Sequence, residues 1–176
     1  MTTARTTRSS PRMAPRALHV VDADNLTGGP TEHQCVADQA VQVYRQVAGV
    51  RKGDLIVVGS DLRSAAVTAF AWAGARLLRT TGTDAVDRLL LDDLTPALVV
   101  GLVERVVLGS GDGIFAGRLA QLRAAGVQVE VVARAGSVSW RLFPVAHNIE
   151  RVRTASACTD PACRLPVGRV SMGLAA

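Results

Sequence analysis

The chain has 176 residues, of which 48% are hydrophobic and 20% are charged, and its formal net charge is +5 at pH 7. This length and apolar content fit one domain of ordinary size and exclude a wholly disordered protein. No apolar run reaches the roughly 20 residues that a transmembrane helix needs, so we do not expect a membrane protein.

The basic residues concentrate at the two ends of the chain. Residues 1–16 hold four arginines and no acid, and residues 151–176 hold four arginines and one acid, which leaves the middle at −2. Basic arms can hold a phosphate backbone, and solvated tails without a partner are the alternative. We expect a disordered basic arm over 1–16, a domain over 17–153 and a poorly ordered tail over 154–176.

Cysteine spacing and the start of the chain favour a cytoplasmic protein. The three cysteines, Cys35, Cys158 and Cys163, are odd in number and too widely placed for a disulfide framework. The basic start is not followed by an apolar stretch of the signal-peptide type.

Aromatic residues are scarce, at 3% of the chain. This scarcity argues against a module that stacks bases on exposed rings. We predict instead that Trp72 and Trp140 pack against helices.

Apolar runs alternate with helical patterns along the chain. In chain order they predict a strand within 17–25, a helix over 32–48, a strand over 54–61, a helix over 62–74 and a strand over 75–81. A helix within 82–101 follows, after a cap at Thr83 or Asp84 and with a break near Pro96. The remaining patterns predict a strand over 104–112, a helix over 114–126 and a strand over 127–134. A short helix from Ser137 and a last short strand follow. Strands that alternate with helices build right-handed βαβ units. We therefore predict a three-layer α/β/α fold whose central layer is a mostly parallel sheet.

Acidic side chains follow three of the predicted strands. They are Asp22 and Asp24, with Asn25, after the first strand, Asp84 and Asp87 after the third, and Asp112 after the fourth. Ligands bind outside the carboxyl ends of the strands in such sheets. Gathered carboxylates repel one another and lose hydration, so a fold seldom assembles them without a cation. Oxygen ligands of this kind suit Mg²⁺ or Mn²⁺.

Several of these residues also have an ordinary structural interpretation. Asp84 and Asp87 fit the start of a helix, where the helix dipole favours negative charge. Asp24 and Asn25 fit a turn. Asp22 directly follows a buried run, where an unpaired carboxylate is costly, and this favours a functional role.

The motifs Val20–Asn25, Gly82–Asp87 and Gly109–Phe115, in this order, resemble those of the NYN domains of the PIN-like nuclease superfamily. The resemblance covers about residues 17–135. It implies a PIN-like sandwich and a metal-dependent ribonuclease with a Mg²⁺ or Mn²⁺ cofactor. By position it assigns catalysis and metal binding to Asp22, Asp87 and Asp112, and auxiliary roles to Asp24, Asn25, Asp84, Asp93 and Ser110.

One position departs from the NYN pattern. Many members carry a second aspartate two residues after the Ser-Gly-Asp acid, and here that position is Ile114. An inactive or weak NYN-fold protein that binds RNA or serves as a scaffold is therefore an alternative.

A second alternative is a phosphatase of the haloacid dehalogenase type, because Asp22-Ala23-Asp24 resembles its acid pair. That family also needs a lysine near the phosphate, and Lys52 precedes the second strand at the opposite edge.

RNA is the partner that the resemblance implies, and no membrane partner is expected. Homo-oligomerisation or a protein partner is compatible with the sequence.

Overall fold

The computed structural model describes residues 16–82, 84–155 and 157–158. The expected basic arm up to residue 15, and the tail beyond residue 158, lie outside these described residues. Among the helices within them, none is both long and apolar enough to cross a membrane.

The described residues form a single sheet with helices on both of its faces. The strands are β1 (Ala17–Asp22), β2 (Leu55–Asp61), β3 (Arg76–Thr80), β4 (Arg105–Gly109), β5 (Gln128–Arg134) and β6 (Asn148–Val152). The helices are α1 (Ala23–Thr27), α2 (Gln34–Ala48), α3 (Ala65–Ala71), α4 (Ala85–Asp93), α5 (Pro96–Val99) and α6 (Ala116–Ala124). Short 3-10 turns, Gly113–Phe115 and Trp140–Leu142, precede α6 and β6.

The strand order is β3-β2-β1-β4-β5-β6, and every neighbouring pair is parallel. Side chains alternate between the two faces of each strand. In β1, Val20 packs in the apolar layer under α4, α5 and α6, and Val21 packs in the layer that includes α1 and α2. Each fully buried side chain of this kind stabilises the fold by about 1.5–3 kcal/mol. The predicted three-layer α/β fold is confirmed, and its sheet is parallel throughout.

The direction of the winding reverses between β1 and β4. The chain proceeds from β1 outward to β3 and then returns to β4, on the other side of β1. In doubly wound sheets this reversal opens a crevice at the carboxyl ends of the strands, where ligands bind. Val21 of β1 is in register with Gly109 of β4, so the residues that follow the two strands meet at this crevice.

Helix α4 approaches the sheet closely at Gly59 of β2. A Cβ at Gly59 would lie 2.6 Å from Cγ1 of Val86 and 3.0 Å from the side chain of Leu90. The missing side chain lets α4 pack directly on the strand. Asp87, in the first turn of α4, is thereby held near the carboxyl edge of the sheet.

Helix α1 begins directly after β1, so Asp24 and Asn25 are helical residues rather than turn residues. Asp22 caps this helix, because its Oδ1 accepts a hydrogen bond from the Asn25 N–H at 3.1 Å. Such a cap satisfies one of the backbone donors that a helix start leaves unpaired. The predicted break near Pro96 is confirmed: α4 ends at Asp93, and Pro96 opens α5.

The first residues of the expected tail contact the domain. The hydroxyl of Thr154 donates a hydrogen bond to the Leu26 carbonyl of α1. The Ala155 N–H donates to Oε1 of Gln39, in α2, at 2.6 Å. The chain is therefore fastened to the sandwich beyond the end of β6.

A buried polar chain links β1 to α2 and to the turn before β2. His19 Nδ1 lies 3.0 Å from the Tyr44 hydroxyl, and His19 Nε2 lies 3.3 Å from Asp54 Oδ2. Burial lowers the pKa of His19 against the opposing effect of Asp54, so the ring is neutral at neutral pH. Because a carboxylate only accepts, Nε2 carries the ring proton and the tyrosine donates to Nδ1.

Candidate functional site

Asp22 is the last residue of β1 and is only 8% exposed. The pKa of its carboxyl group is raised to about 7, first by burial and then by the charges of Asp87 and Asp24, against the Asn25 hydrogen bond. This shift is typical of a carboxylate removed from water without a cationic partner. Perturbed groups of this kind at a strand end are candidates for a functional site.

Asp87 reaches the same edge from α4 and is 9% exposed. Burial raises its pKa to about 6, with further contributions from the charges of Asp112 and Asp84. Its Oδ1 is buried and has no hydrogen-bond partner among the residues that the structure describes. An unsatisfied buried polar atom costs about 1–3 kcal/mol, so this oxygen is free to accept a bond from a ligand.

Asp112 and Asp84 occupy the outer part of the cluster, and both are exposed. Oδ1 of Asp112 accepts a hydrogen bond from the Ile114 N–H at 2.9 Å, and the Asp112 N–H donates to the Ser110 hydroxyl at 3.2 Å. Asp84 precedes α4 in a left-handed backbone conformation, with φ of 54°. The charges of both acids raise the pKa of Asp87, so the acids from three separate segments act on one another at this edge.

Asp24 and Asn25 link the chain segments at this edge through hydrogen bonds. The two carboxylate oxygens of Asp24 accept hydrogen bonds from the Asp61 N–H and the Ser64 hydroxyl, each at 2.6 Å. Oδ1 of Asn25 accepts from the Gly111 N–H at 3.0 Å. The first links α1 to the end of β2, and the second links it to the loop after β4. Both side chains therefore position the cluster.

Asp93 is not brought to the cluster. It is the last residue of α4, and its Oδ1 accepts a hydrogen bond from the Arg76 guanidinium at 2.8 Å. Arg76 is the first residue of β3, so this ion pair lies at the opposite edge of the sheet. The expected auxiliary role for Asp93 therefore has no geometric basis in this structure.

The donor chemistry of the edge fits a hydrated divalent cation. Within the described ranges, no three His, Cys, Asp or Glu side chains are grouped as a ready-made metal site. Mg²⁺ is usually bound through one or two carboxylates, with waters and substrate phosphates as its other ligands. Asp22 and Asp87 offer such a pair, because their charges interact and Asp87 has an unpartnered oxygen.

A cleft of about 550 Å³ opens beside Asp112. One wall contains Asp112 and Ile114 from the loop after β4, and the other contains Ser139, Trp140 and Arg141 from the connection between β5 and β6. None of the three residues of the second wall was among the predicted site residues. The sequence predicts a short helix from Ser137 here, and the structure forms the 3-10 turn Trp140–Leu142, which Ser139 caps.

The two tryptophans have different environments. Trp72 is 3% exposed, which confirms its predicted packing role, whereas Trp140 is 75% exposed at the cleft, so the same prediction is wrong for Trp140. The physical reason is the 3-10 turn, in which Leu142 is fully buried and takes the inward position.

No family model matches the chain, and no curated protein matches it. Among solved structures, the chain is similar to the crystal structure of a protein of unknown function from Vibrio parahaemolyticus, with a TM-score of 0.57 and 13% sequence identity. The match covers 89% of this chain and 100% of that chain. At this level of identity, the likeness shows the fold alone.

Proposed function

We propose that this protein is a metal-dependent ribonuclease of the NYN type, which hydrolyses RNA phosphodiester bonds at the carboxyl edge between β1 and β4. The observation that carries the proposal is the buried Oδ1 of Asp87, which has no partner among the described residues and is close enough to Asp112 for their charges to interact. A divalent cation would offset both the repulsion between these carboxylates and the hydration that they lose on burial.

Asp22 and Asp87 would hold Mg²⁺ or Mn²⁺ directly, and Asp112, at the outer part of the cluster, would reach the ion through its bound water. When bound, such an ion activates water and stabilises the leaving oxygen in phosphodiester hydrolysis. Asp24 and Asn25 link α1, which follows Asp22, to the end of β2 and to the loop that carries Asp112.

Arginine side chains at the same edge supply positive charge for the RNA backbone. Arg141 lines the cleft beside Asp112. Arg134 ends β5, and its guanidinium packs so close to Gly28 that a Cβ there would lie 2.8 Å from it. Guanidinium groups bind phosphate through paired hydrogen bonds. A cytoplasmic setting belongs to this proposal, because the cysteine spacing does not suit a disulfide framework.

Cleavage of end-labelled RNAs of mixed sequence, in Mn²⁺ or Mg²⁺ and in EDTA, tests the proposal. Asp87→Asn and Asp112→Asn should each reduce metal-dependent cleavage by at least about 100-fold. Asp92→Asn is the matched control, because it removes the same charge from an exposed position on α4. Equal cleavage by Asp87→Asn and the wild type would contradict the proposal.

Thermal unfolding supplies a readout that does not depend on activity. Mn²⁺ should raise the Tm of the wild type and of Asp92→Asn, since a ligand that binds only the native state stabilises it. It should leave the Tm of Asp87→Asn unchanged. An equal rise in all three proteins would place the cation elsewhere.

An RNA-binding protein without turnover is the second candidate. Ile114 favours it, because this side chain is 39% exposed in the cleft where many NYN proteins carry a further aspartate. RNA that binds but is not cut in either metal would make this the preferred function.

A phosphatase of the haloacid dehalogenase type is less well supported. Both oxygens of Asp24 already accept hydrogen bonds, so the second acid of the pair is engaged in holding the fold. Lys52 lies in the turn before β2, at the edge of the sheet opposite to Asp22.

A further inference from the structure

Trp140 lies beside the candidate catalytic edge with its side chain largely in solvent. It is 75% exposed and shares the cleft with Asp112. Single apolar residues on a surface are ordinary, but this one is a large aromatic ring at a polar cleft. The guanidinium carbon of Arg141 lies 5.9 Å from its ring centroid.

The turn that carries Trp140 is fixed to the loop that carries Asp112. The Ser139 N–H donates a hydrogen bond to the Gly111 carbonyl at 2.8 Å. The two backbones pack so closely that a Cβ on Gly111 would overlap the carbonyl oxygen of Ser137. Leu142, at the end of the turn, is fully buried. The backbone that carries Trp140 therefore has a defined position relative to the loop of Asp112.

The same connection carries a second pair of an aromatic ring and an arginine. Phe143 is 51% exposed, and the guanidinium carbon of Arg151 lies 5.6 Å from its ring centroid. Exposed rings with neighbouring arginines are the features that single-stranded nucleic acids contact, by stacking of bases and by attraction of phosphates.

We propose that Trp140 and Arg141 bind an unpaired base and its adjacent phosphate, and so select single-stranded RNA as the substrate. A base in a duplex is covered on both faces by its neighbours, whereas an unpaired base can stack on the indole ring. Arg141 contributes the positive charge that the phosphate requires. This inference rests on the proposed function, since it names the substrate class of that same site.

Binding in EDTA tests the inference without cleavage. Labelled oligouridylate and its duplex with oligoadenylate of equal length are the probes. The wild type should bind the single strand more tightly, and Trp140→Ala should weaken single-strand binding by about 5- to 150-fold, the range for loss of one stacked base. Trp140→Phe should restore most of the affinity. Phe70→Ala is the matched control, because Phe70 is 69% exposed on α3.

Two further measurements separate stacking from charge. In a Trp72→Phe background, Trp140 is the remaining tryptophan, and oligouridylate should quench its fluorescence whereas the duplex should not. Arg141→Gln should reduce the slope of log affinity against log salt by about 0.7.

Unchanged single-strand binding by Trp140→Ala, or equal binding of single strand and duplex by the wild type, would overturn the inference and favour a protein partner for this ring. The proposed function fails separately, if the wild type does not cleave RNA in Mn²⁺ or Mg²⁺. Loss of affinity in Trp140→Ala without any cleavage by the wild type would support single-strand binding and reject the nuclease.

Discussion

The side chain of Asn25 accepts a hydrogen bond from the Gly111 N–H at 3.0 Å and thereby joins the first turn of α1 to the loop after β4. The two residues are 86 positions apart in the sequence, yet they close one side of the crevice between the central strands. Asn25→Ala should lower the free energy of unfolding by about 1–2 kcal/mol, because the buried N–H of Gly111 loses its acceptor.

Asn25→Ala should also reduce RNA cleavage at temperatures where the variant is fully folded, since Asp112 follows directly on Gly111. Urea unfolding and cleavage rates measured side by side check both effects. Asn148→Ala is the control, because Asn148 is exposed at the start of β6 and its side chain contacts Glu150. Equal cleavage by the two variants would show that the link does not position the acid.

Asp22 should make the metal-free protein less stable as the pH rises. Its native pKa is about 7, whereas an unfolded aspartate titrates near 4. Between these values the native state holds a proton that the unfolded state has lost, so the free energy of unfolding falls as the pH rises from about 4 to 7.

Asp22→Asn should remove this loss. In EDTA the variant should match the wild type near pH 4 and exceed its stability above pH 7 by up to about 4 kcal/mol. Urea unfolding at a series of pH values measures the difference. If the stability difference between the two proteins does not change with pH, the raised pKa is absent.

Gly59→Ala should separate α4 from the sheet. The new methyl group would meet Val86 at 2.6 Å, and overpacking of this kind costs about 1–3 kcal/mol. Cleavage should fall as well, because Asp87 moves with the helix. Gly117→Ala is the matched control: nothing lies within 4 Å of its Cβ position in α6, so it should raise stability by about 0.5–1 kcal/mol. The same loss of Tm in both variants would argue against a close approach at Gly59.

Tyr44→Phe should destabilise the fold without changing the residues of the candidate catalytic site. The change removes the hydroxyl that donates to His19 Nδ1 but keeps the ring, which packs edge-to-face on Trp72 at 5.4 Å. A loss of about 1–3 kcal/mol is expected for the unsatisfied imidazole nitrogen. Chemical denaturation gives the stability, and RNA cleavage at a permissive temperature should be unchanged. A variant as stable as the wild type would mean that the buried hydrogen bond contributes nothing.

The sequence was sufficient to predict the sheet and the edge at which the acids meet. Buried parallel strands appear as short apolar runs, and each run ends where polar residues begin, so Asp22 and Asp112 could be placed from the pattern alone. The position of Asp93 could not be predicted from the pattern of apolar runs. It follows Asp87 by six residues, which is about 9 Å along a helix axis, so the two acids of one helix lie toward opposite edges of the sheet.

The exposed position of Trp140 could not be predicted from the sequence pattern, for a different reason. A turn of three residues is too short to show a period, and its outward and inward positions depend on the Ser139 cap and the buried Leu142. The roles of Asp24 and Asn25 likewise depend on hydrogen bonds to residues more than thirty positions away. Such long-range bonds leave no local signal in the sequence.

Strands β3 and β6 are the outermost strands of the sheet formed by the described residues. Both carry exposed charged side chains, Arg76 and Arg79 on β3 and Glu150 and Arg151 on β6. A bare outer strand offers unpaired backbone groups to a neighbouring molecule, and charges along it oppose such pairing. The charges on both outer strands therefore oppose edge-to-edge joining of the sheets of two molecules.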